Sequence, residues 1–309
     1  MPQGSLVYLN GRMVPAEQAR LNIHDMGLIL GATVAEMART FSKRLFRLED
    51  HLSRLARSLE CVGFDVGMSV EDLGRIAEEL VEHNAKLLGP DDELGLIIFV
   101  TAGENPMYAA GPDVPVRTEP TVCVHTFRLP LHAWAEPMRV GASLVTPSIR
   151  HIPPRCIPTD IKHRSRIHYY LAAREARSIE PGAVPLLLDL QGNVAETNTA
   201  NVLIVEDGTL VSPTLANILP GISREMLVEL AERLAIPFVE REFDTARVAA
   251  SDEALLASTP YCVMPAVKID GRPIGAGRPG PVFRRLIDAW SEAVGLDVYR
   301  QIVEAGAMM

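Results

Sequence analysis

The sequence has few cysteines, no long apolar run and no block of basic residues, and each of these absences excludes a class of protein. Four cysteines are scattered over 309 residues without a CxxC pair, so free thiols are expected and a disulfide framework is not. No apolar run approaches the roughly 20 residues of a membrane-spanning helix. The opening MPQGSLVYLNGRMV lacks the pattern of a signal peptide. We therefore expect a cytoplasmic protein.

Charge and histidine spacing exclude two further classes. The chain carries 39 acidic and 30 basic residues, a net charge of −9. This balance argues against nucleic acid or an anionic membrane as the main partner. The eight histidines include no HxxxH or HExxH spacing, so no metal site is expected. What remains is an acidic globular protein, long enough for two domains.

Strand and helix signals alternate along both halves of the chain. Asn10-Gly11, between two short apolar runs, predicts a hairpin at the start. Amphipathic and β-branched segments predict helices at 49–63, 69–89, 165–178, 223–234 and 281–294 (the last clear one), and strands at 94–101, 121–127, 138–145, 186–190, 194–196, 202–205, 210–211, 254–257 and 262–269. This alternation predicts two α/β or α+β domains, residues 1–128 and 138–309, joined by an irregular linker at 129–137.

Lysine is scarce, and one lysine stands in an unusual context. Only four of the 30 basic residues are lysines, and three of them have ordinary surface explanations. Lys162 follows the Pro-rich stretch HIPPRCIPTD, is expected to open a helix, and lies beside Arg164 and Arg166. Nearby positive charge lowers the pKa of an amine and favours its nucleophilic neutral form. The pattern alone favours a solvated lysine in a basic cluster over a nucleophile.

A second segment has the features of an anion site. LPGISRE places a turn before a predicted helix, so the backbone N–H groups of Ile222 and Ser223 lie at its N-terminus. Such N–H groups and the helix dipole attract phosphate or carboxylate. Many helices begin in this way, so the segment alone does not identify a ligand.

These features occur together with five segments that resemble one enzyme family. The segments are FRLEDHLSRLARS, IKHRSR, LDLQGNVAETNTANVLIVEDGTLVSP, NILPGISRE and STPYCVMPAVKIDGRPIGAGRPGPV. In this order and spacing they resemble the class IV (fold type IV) pyridoxal-phosphate enzymes: branched-chain and D-amino acid aminotransferases and aminodeoxychorismate lyases. The resemblance covers nearly the whole chain. It implies a two-domain α/β fold, with a smaller N-terminal α/β domain and a larger C-terminal domain built on a mixed, barrel-like sheet.

The resemblance assigns a role to each matching residue. Lys162 corresponds to the lysine that forms a Schiff base with pyridoxal 5′-phosphate, and its freed amine moves a proton between the substrate Cα and the cofactor C4′. Glu196 corresponds to the carboxylate that keeps the pyridine nitrogen protonated. The residues that correspond to phosphate ligands are Arg54, Ile222, Ser223 and Thr259.

The segments that contact substrate in such relatives differ here. Ala35 stands where the aminotransferases carry an aromatic residue, and Pro260, which has no N–H, follows the phosphate threonine. The loop after VTAG lacks the arginine of the D-amino acid enzymes. Arg39 and Arg166 are candidates for binding a substrate carboxylate, with salt bridges inside the fold as the alternative. The run HYY at 168–170 is compatible with a place in the site or with helix packing.

Three functions follow from the resemblance. The favoured one is an aminotransferase that moves an amino group from an amino acid or related amine to a 2-oxo acid in a ping-pong cycle. The KHRSR segment also resembles aminodeoxychorismate lyases, which release pyruvate and p-aminobenzoate, although Met37 replaces their threonine. The third is a non-catalytic relative that binds pyridoxal phosphate. The family also implies a homodimer, with the loop Ala102–Pro120 as a candidate element that closes the site.

Overall fold

The computed structural model describes residues 2–108 and 118–307, and the chain divides into two compact units. The first unit is Met1–Leu129 together with Asp160–Arg166, and the second is Pro130–Thr159 together with Ile167–Met309. The short segment around Lys162 therefore packs with the first unit. The functional domains at 1–128 and 138–309 stay a prediction.

The first unit is a six-stranded antiparallel sheet with two long helices. Its elements are β1 (Leu6–Leu9), β2 (Arg12–Pro15), α1 (Met26–Ile29), β3 (Thr33–Phe41), β4 (Arg44–Leu45), α2 (Leu48–Val62), α3 (Val70–Ala85), β5 (Leu94–Thr101) and β6 (Thr121–Arg128). The strand order is β2-β1-β6-β5-β3-β4. Helix α2 packs on β3 and α3 packs on β1, β5 and β6. Successive β3 residues point to opposite faces of the sheet, so only alternate ones meet the helices.

Local signals explain how this unit begins and where its helices start. The predicted hairpin is confirmed, because β1 and β2 pair antiparallel across Asn10-Gly11. Ser69 caps α3: its hydroxyl accepts the backbone N–H of Asp72, and the Asp72 carboxylate accepts the N–H of Ser69. This reciprocal arrangement satisfies two donors at the helix end that would otherwise lack partners.

The second unit is built on a closed ring of strands. Its elements are α4 (Ala135–Val140), β7 (Ala142–Val145), α5 (Ile167–Ile179), β8 (Val184–Leu188), β9 (Val194–Thr197), β10 (Asn201–Glu206), β11 (Thr209–Ser212), α6 (Ile222–Arg233), β12 (Phe238–Glu240), α7 (Thr245–Ala250), β13 (Glu253–Ser258), β14 (Cys262–Ile269), β15 (Arg272–Pro273), α8 (Pro281–Val294) and α9 (Val298–Ala307). The order β10-β13-β14-β7-β8-β9 closes because β9 also pairs with β10. Strand β7 runs parallel to both neighbours and the other ring pairs are antiparallel. The expected mixed, barrel-like core is therefore confirmed.

Two predicted elements of this unit were wrong. The predicted strand 138–145 begins only at Ala142, because residues up to Val140 complete helix α4. Gly141 makes the change of direction with φ of +96°, and a Cβ there would lie 2.2 Å from the Val267 side chain. Only glycine combines this backbone angle with so close a neighbour. The helix at 281–294 is not the last one, since α9 follows it.

Candidate functional site

Lys162 lies on a segment that pairs with the start of β3. The N–H of Ala35 donates to the Lys162 carbonyl at 2.8 Å, and the N–H of Arg164 donates to the Thr33 carbonyl at 2.9 Å. The N–H of Lys162 donates to the Ser58 hydroxyl on α2 at 3.3 Å. The lysine side chain is half-buried. Three hydrogen bonds, two to β3 and one to α2, thus anchor the backbone of this segment.

Lys162 does not open a helix, contrary to the prediction, because helix α5 begins only at Ile167. The Pro-rich approach and the pairing with β3 keep residues 160–166 outside the helix. The charged surroundings do occur: the pKa of Arg164 is lowered by burial and then by the charge of Arg166. Positive charge is therefore concentrated in this segment.

Arg54 belongs to a buried cluster on the helix face of β3. Its Nε and Nη2 atoms donate to the two carboxylate oxygens of Glu36 at 2.7 and 2.8 Å. The Nδ1 atom of His51 lies 2.8 Å from Glu36 Oε2. All three side chains are at most 3% exposed. Since Ser58 follows Arg54 by one turn of α2 and bonds to Lys162, the cluster and the lysine lie in the same part of the first unit.

Electrostatics keep this cluster in one charge state. Burial alone would raise the pKa of Glu36, but the charge of Arg54 and the hydrogen bonds from Arg54 and His51 lower that pKa to about 2. Burial lowers the pKa of His51, and the contacts with Glu36 offset this only in part. The carboxylate is therefore ionised at neutral pH and the imidazole is neutral. The resulting ion pair holds the Arg54 side chain in one position.

Glu36 and His51 are not among the predicted site residues, although the sequence carries a signal for both. His51 and Arg54 are three residues apart on an amphipathic helix, so they share a face. Glu36 lies on the opposite face of β3 from Ala35 and Met37, because strand residues alternate. A carboxylate at a core-facing strand position requires a partner of opposite charge. The helix that covers β3 carries an arginine that can be this partner.

In the second unit, Glu196 is held by donors from four directions. Its Oε1 atom accepts the hydroxyl of Tyr169 at 2.5 Å and lies 3.4 Å from Nε2 of His151. Its Oε2 atom accepts Nδ2 of Asn201 and the backbone N–H of Leu219, each at 3.3 Å. Burial raises the pKa of Glu196, yet these donors, led by His151, bring the net pKa below the ordinary value. The carboxylate is thus buried and ionised.

The N-terminus of α6 lies next to this carboxylate. Asn201 links the two, because its Nδ2 atom also donates to the Leu219 carbonyl at 3.0 Å, just before α6 begins at Ile222. The cap residue Gly221 offers no side chain, and a Cβ there would lie 1.9 Å from Asn201 Oδ1. This close approach requires glycine. The first backbone N–H groups of α6 therefore have no side-chain cap, which suits a helix N-terminus that binds an anion.

Thr259 lies at the same end of the strand ring. It follows β13 directly, and its neighbour Ser258 donates its hydroxyl to the Thr199 carbonyl at 2.7 Å. Asn201 pairs with Ala257 of β13 and with Glu196 of β9. Within the second unit the fold therefore groups the predicted residues Glu196, Ile222, Ser223 and Thr259. Within the first unit it groups Arg54 and Lys162.

The two candidate substrate arginines have different surroundings. Arg39 is 1% exposed, its Nε donates to the Thr40 carbonyl at 3.1 Å, and its guanidinium lies 4.0 Å from the centre of the Phe41 ring. Arg166 is half-buried and close enough to Arg164 to lower the pKa of that residue. The substrate role of both stays a prediction. The closing loop predicted at 102–120 lies partly outside the described residues, which omit 109–117.

Two kinds of feature are absent from the residues that the structure describes. Between residues 2 and 108 and between 118 and 307, no helix is both long enough and apolar enough to cross a membrane. In the same two stretches, no group of three or more His, Cys, Asp and Glu side chains is placed to hold a metal ion. The four cysteines are free thiols, of which Cys123 and Cys262 are buried.

Comparison with known proteins shows that the chain is similar to aminotransferases. The family described as amino-transferase class IV matches residues 33–269. A D-alanine aminotransferase of Staphylococcus epidermidis is 29% identical over 282 residues, 91% of this chain and 94% of that protein. The structure of the Escherichia coli branched-chain amino acid aminotransferase has a TM-score of 0.84 at 26% identity and covers 94% of both chains.

A second similar structure includes pyridoxamine 5′-phosphate. It is a branched-chain amino acid aminotransferase from T.th., with a TM-score of 0.84 at 27% identity, and each chain is covered to 95%. The similar proteins named here are aminotransferases rather than lyases. These names favour amino transfer over release of pyruvate from aminodeoxychorismate.

The buried pair of Glu36 and Arg54 generates a prediction about stability. Glu36→Gln removes the charge but keeps the shape, and it leaves Arg54 buried without its counter-ion. Breaking a buried pair in this way costs about 3 kcal/mol in the free energy of unfolding. Denaturant unfolding at neutral pH measures the loss. The control is Glu82→Gln, whose carboxylate bonds to Lys86 on the surface and contributes less than about 1 kcal/mol.

The pH dependence gives a second readout of the same variant. A depressed carboxyl pKa stabilises the fold above the ordinary value of 4.5, and this stabilisation is lost as the pH falls towards 2. The wild-type protein should therefore lose stability over this window, and Glu36→Gln should lose less of it. Equal acid sensitivity of the two proteins would contradict an ionised Glu36.

Proposed function

Because the chain belongs to the class IV aminotransferase family, whose members use pyridoxal 5′-phosphate, we propose that it transfers an amino group from an amino acid to a 2-oxo acid. When bound, the cofactor ring accepts electrons from the substrate Cα. The observation that carries the proposal is the pairing, in one unit, of a buried ionised carboxylate with an uncapped helix N-terminus. The first suits a pyridine nitrogen, and the second suits a phosphate.

The residues of this chain fit the cofactor group by group. Glu196 holds the proton on the ring nitrogen, because a buried ionised carboxylate favours a cationic N–H next to it. The backbone N–H groups of Ile222 and Ser223 and the hydroxyl of Thr259 bind the phosphate. Arg54 adds a cation to the phosphate, while its bonds to Glu36 keep the guanidinium in place.

Lys162 supplies the covalent contact and the proton transfer. Its Nζ atom would hold the cofactor at its aldehyde, and once the substrate amine replaced it there, the same lysine amine would be the base that moves a proton at the substrate Cα. The anchored backbone at residues 162 and 164 supports this role, because a base must stay within reach of the carbon that it serves.

An α-amino acid is the donor class we propose. The relatives named for D-alanine and for branched-chain amino acids support it. The substrate carboxylate is assigned to Arg166, which belongs to the cationic segment beside Lys162. Arg39 is the less suitable of the two, since its guanidinium is enclosed by its own strand and by Phe41.

A homodimer in the cytoplasm completes the proposal. Large apolar side chains are exposed in the first unit, among them Ile23 at 73%, Leu28 at 69% and Met107 at 89%. Exposed apolar residues that lie close in sequence, as at 23–30, are typical of an interface. Free cysteines are typical of a reducing compartment. Light scattering should give twice the chain mass of 33.7 kDa, and a monomer at micromolar concentration would contradict the dimer.

The role of Lys162 is tested by its replacement. Lys162→Ala should remove the yellow absorbance of the bound cofactor. Borohydride treatment should attach the cofactor covalently to Lys162 of the wild-type protein, and mass spectrometry should locate the modification there. Loss of a positioned acid–base group lowers kcat by at least about 10²–10⁴-fold.

The matched control is Lys86→Ala, because Lys86 is exposed and its side chain bonds to Glu82 on the surface. This variant should keep the yellow absorbance, the borohydride modification at Lys162 and the wild-type kcat. An amino acid added alone should discharge the yellow absorbance of the wild-type protein and release one equivalent of oxo acid. A protein that no amino acid discharges would be a non-catalytic relative.

The substrate role of Arg166 has its own test. Arg166→Gln should raise KM for the amino acid about 10–100-fold with a smaller change in kcat, because a charge-assisted bond to a carboxylate contributes about 1.5–3 kcal/mol. Arg139→Gln, at an exposed residue paired with Glu136, serves as the control. An unchanged KM in the Arg166 variant would transfer the role to another residue.

A further inference from the structure

Tyr169 and His151 form a hydrogen-bonded chain that ends on Glu196. The hydroxyl of Tyr169 donates to Glu196 Oε1 at 2.5 Å, and Nε2 of His151 lies 3.1 Å from the same hydroxyl. A tyrosine hydroxyl has one proton, which is committed to the carboxylate. Nε2 of His151 must therefore carry a proton and donate to the tyrosine oxygen. This order runs from imidazole to phenol to carboxylate.

Packing holds both members of this chain in place. Tyr169 projects from α5, is 7% exposed, and packs with Ala172 and Leu187, with Ile149 against the same cluster. The ring of His168 lies 3.9 Å from the Tyr169 ring, centre to centre. His151 is 9% exposed, and its backbone N–H donates to the carbonyl of Leu188 at 2.9 Å. Both side chains are therefore buried and packed on the side of the carboxylate.

Tyr169 makes the shortest bond to Glu196. The bonds from Asn201 and Leu219 are both 3.3 Å long, and His151 reaches the carboxylate itself only at 3.4 Å. Hydrogen bonds weaken with length, and donors that lie in a chain polarise one another. Without the phenol, the buried carboxylate would keep only long contacts while its desolvation stayed the same. Burial would then favour the protonated acid.

We propose that Tyr169, supported by His151, is a positioning residue that keeps Glu196 ionised and oriented toward the pyridine nitrogen of the cofactor. The inference rests on the proposed function, in which Glu196 faces that nitrogen. Tyr169 acts through Glu196 and need not touch substrate or cofactor. Its effect is on the protonation of the ring, and through the ring on the acidity of the substrate Cα.

Tyr169→Phe tests this by removing one oxygen and keeping the ring. Pyridoxal phosphate labelled with nitrogen-15 at the ring nitrogen reports ring protonation by its chemical shift in the bound state. In the variant this signal should move toward that of the neutral pyridine. The Kd for the cofactor should rise about tenfold, since a hydrogen bond to a charged group is lost. kcat should fall while KM for the amino acid stays within about twofold of wild type.

Tyr170→Phe is the matched control. Tyr170 is the next residue of α5 and is 60% exposed, and it should keep the wild-type shift, Kd and kcat. Glu196→Gln is the positive reference for a ring nitrogen without its carboxylate. A purely structural role of Tyr169 would lower the Tm of the cofactor-free protein and leave the ring signal and Kd unchanged. That result would overturn the proposal.

His151→Gln decides the question if Tyr169→Phe does not fold. It should shift the ring signal in the same direction, and a wild-type signal would overturn the proposal. Failure of the proposed function has a different signature, because the wild-type protein would then bind no labelled cofactor, or would bind it without being discharged by any amino acid. If the wild-type protein binds the labelled cofactor, an amino acid discharges it and both variants keep the wild-type ring signal, the proposed role of Tyr169 is wrong and the proposed function stands.

Discussion

The cost of burying a carboxylate controls the second unit around Glu196. An ionised carboxylate inside a protein is tolerated only when donors replace the water that it loses. Here the donors come from α5, from the loop before it, from β10 and from the chain that leads into α6. Each of these elements must therefore stay where it is for the charge to persist. The resulting negative charge is what a protonated pyridine nitrogen requires.

The first unit solves the same problem in another way. Glu36 is neutralised by a formal cation, Arg54, in a bidentate pair, and neutral His51 fills the remaining acceptor position. Glu196 is instead surrounded by a phenol, an amide, a backbone N–H and an imidazole. The difference fits the proposed role of Glu196: Glu36 is paired with a cation of its own chain, whereas the hydrogen-bond donors around Glu196 leave its negative charge for a ligand.

Local signals predicted much of the fold because turns and caps depend on adjacent residues. Asn10-Gly11 and the Ser69–Asp72 capping box are of this kind. The failures occurred where distant residues decide. Helix α4 runs to Val140 because Gly141 turns the chain against Val267, and the segment around Lys162 pairs with β3 instead of continuing into α5. The contacts that decide these two cases lie more than 100 residues away in the sequence, so the local sequence does not predict them.

The sequence by itself determined which family the chain resembles and which side chains are candidates for its chemistry, because motif residues and their spacing are written along the chain. Only the tertiary structure decided which of them meet. Tyr169 and His151 are 27 and 45 residues from Glu196, and they reach it because strand pairing and helix packing close the ring of the second unit. Contacts over such distances depend on the packing of the whole unit, and a pattern in the sequence does not record them.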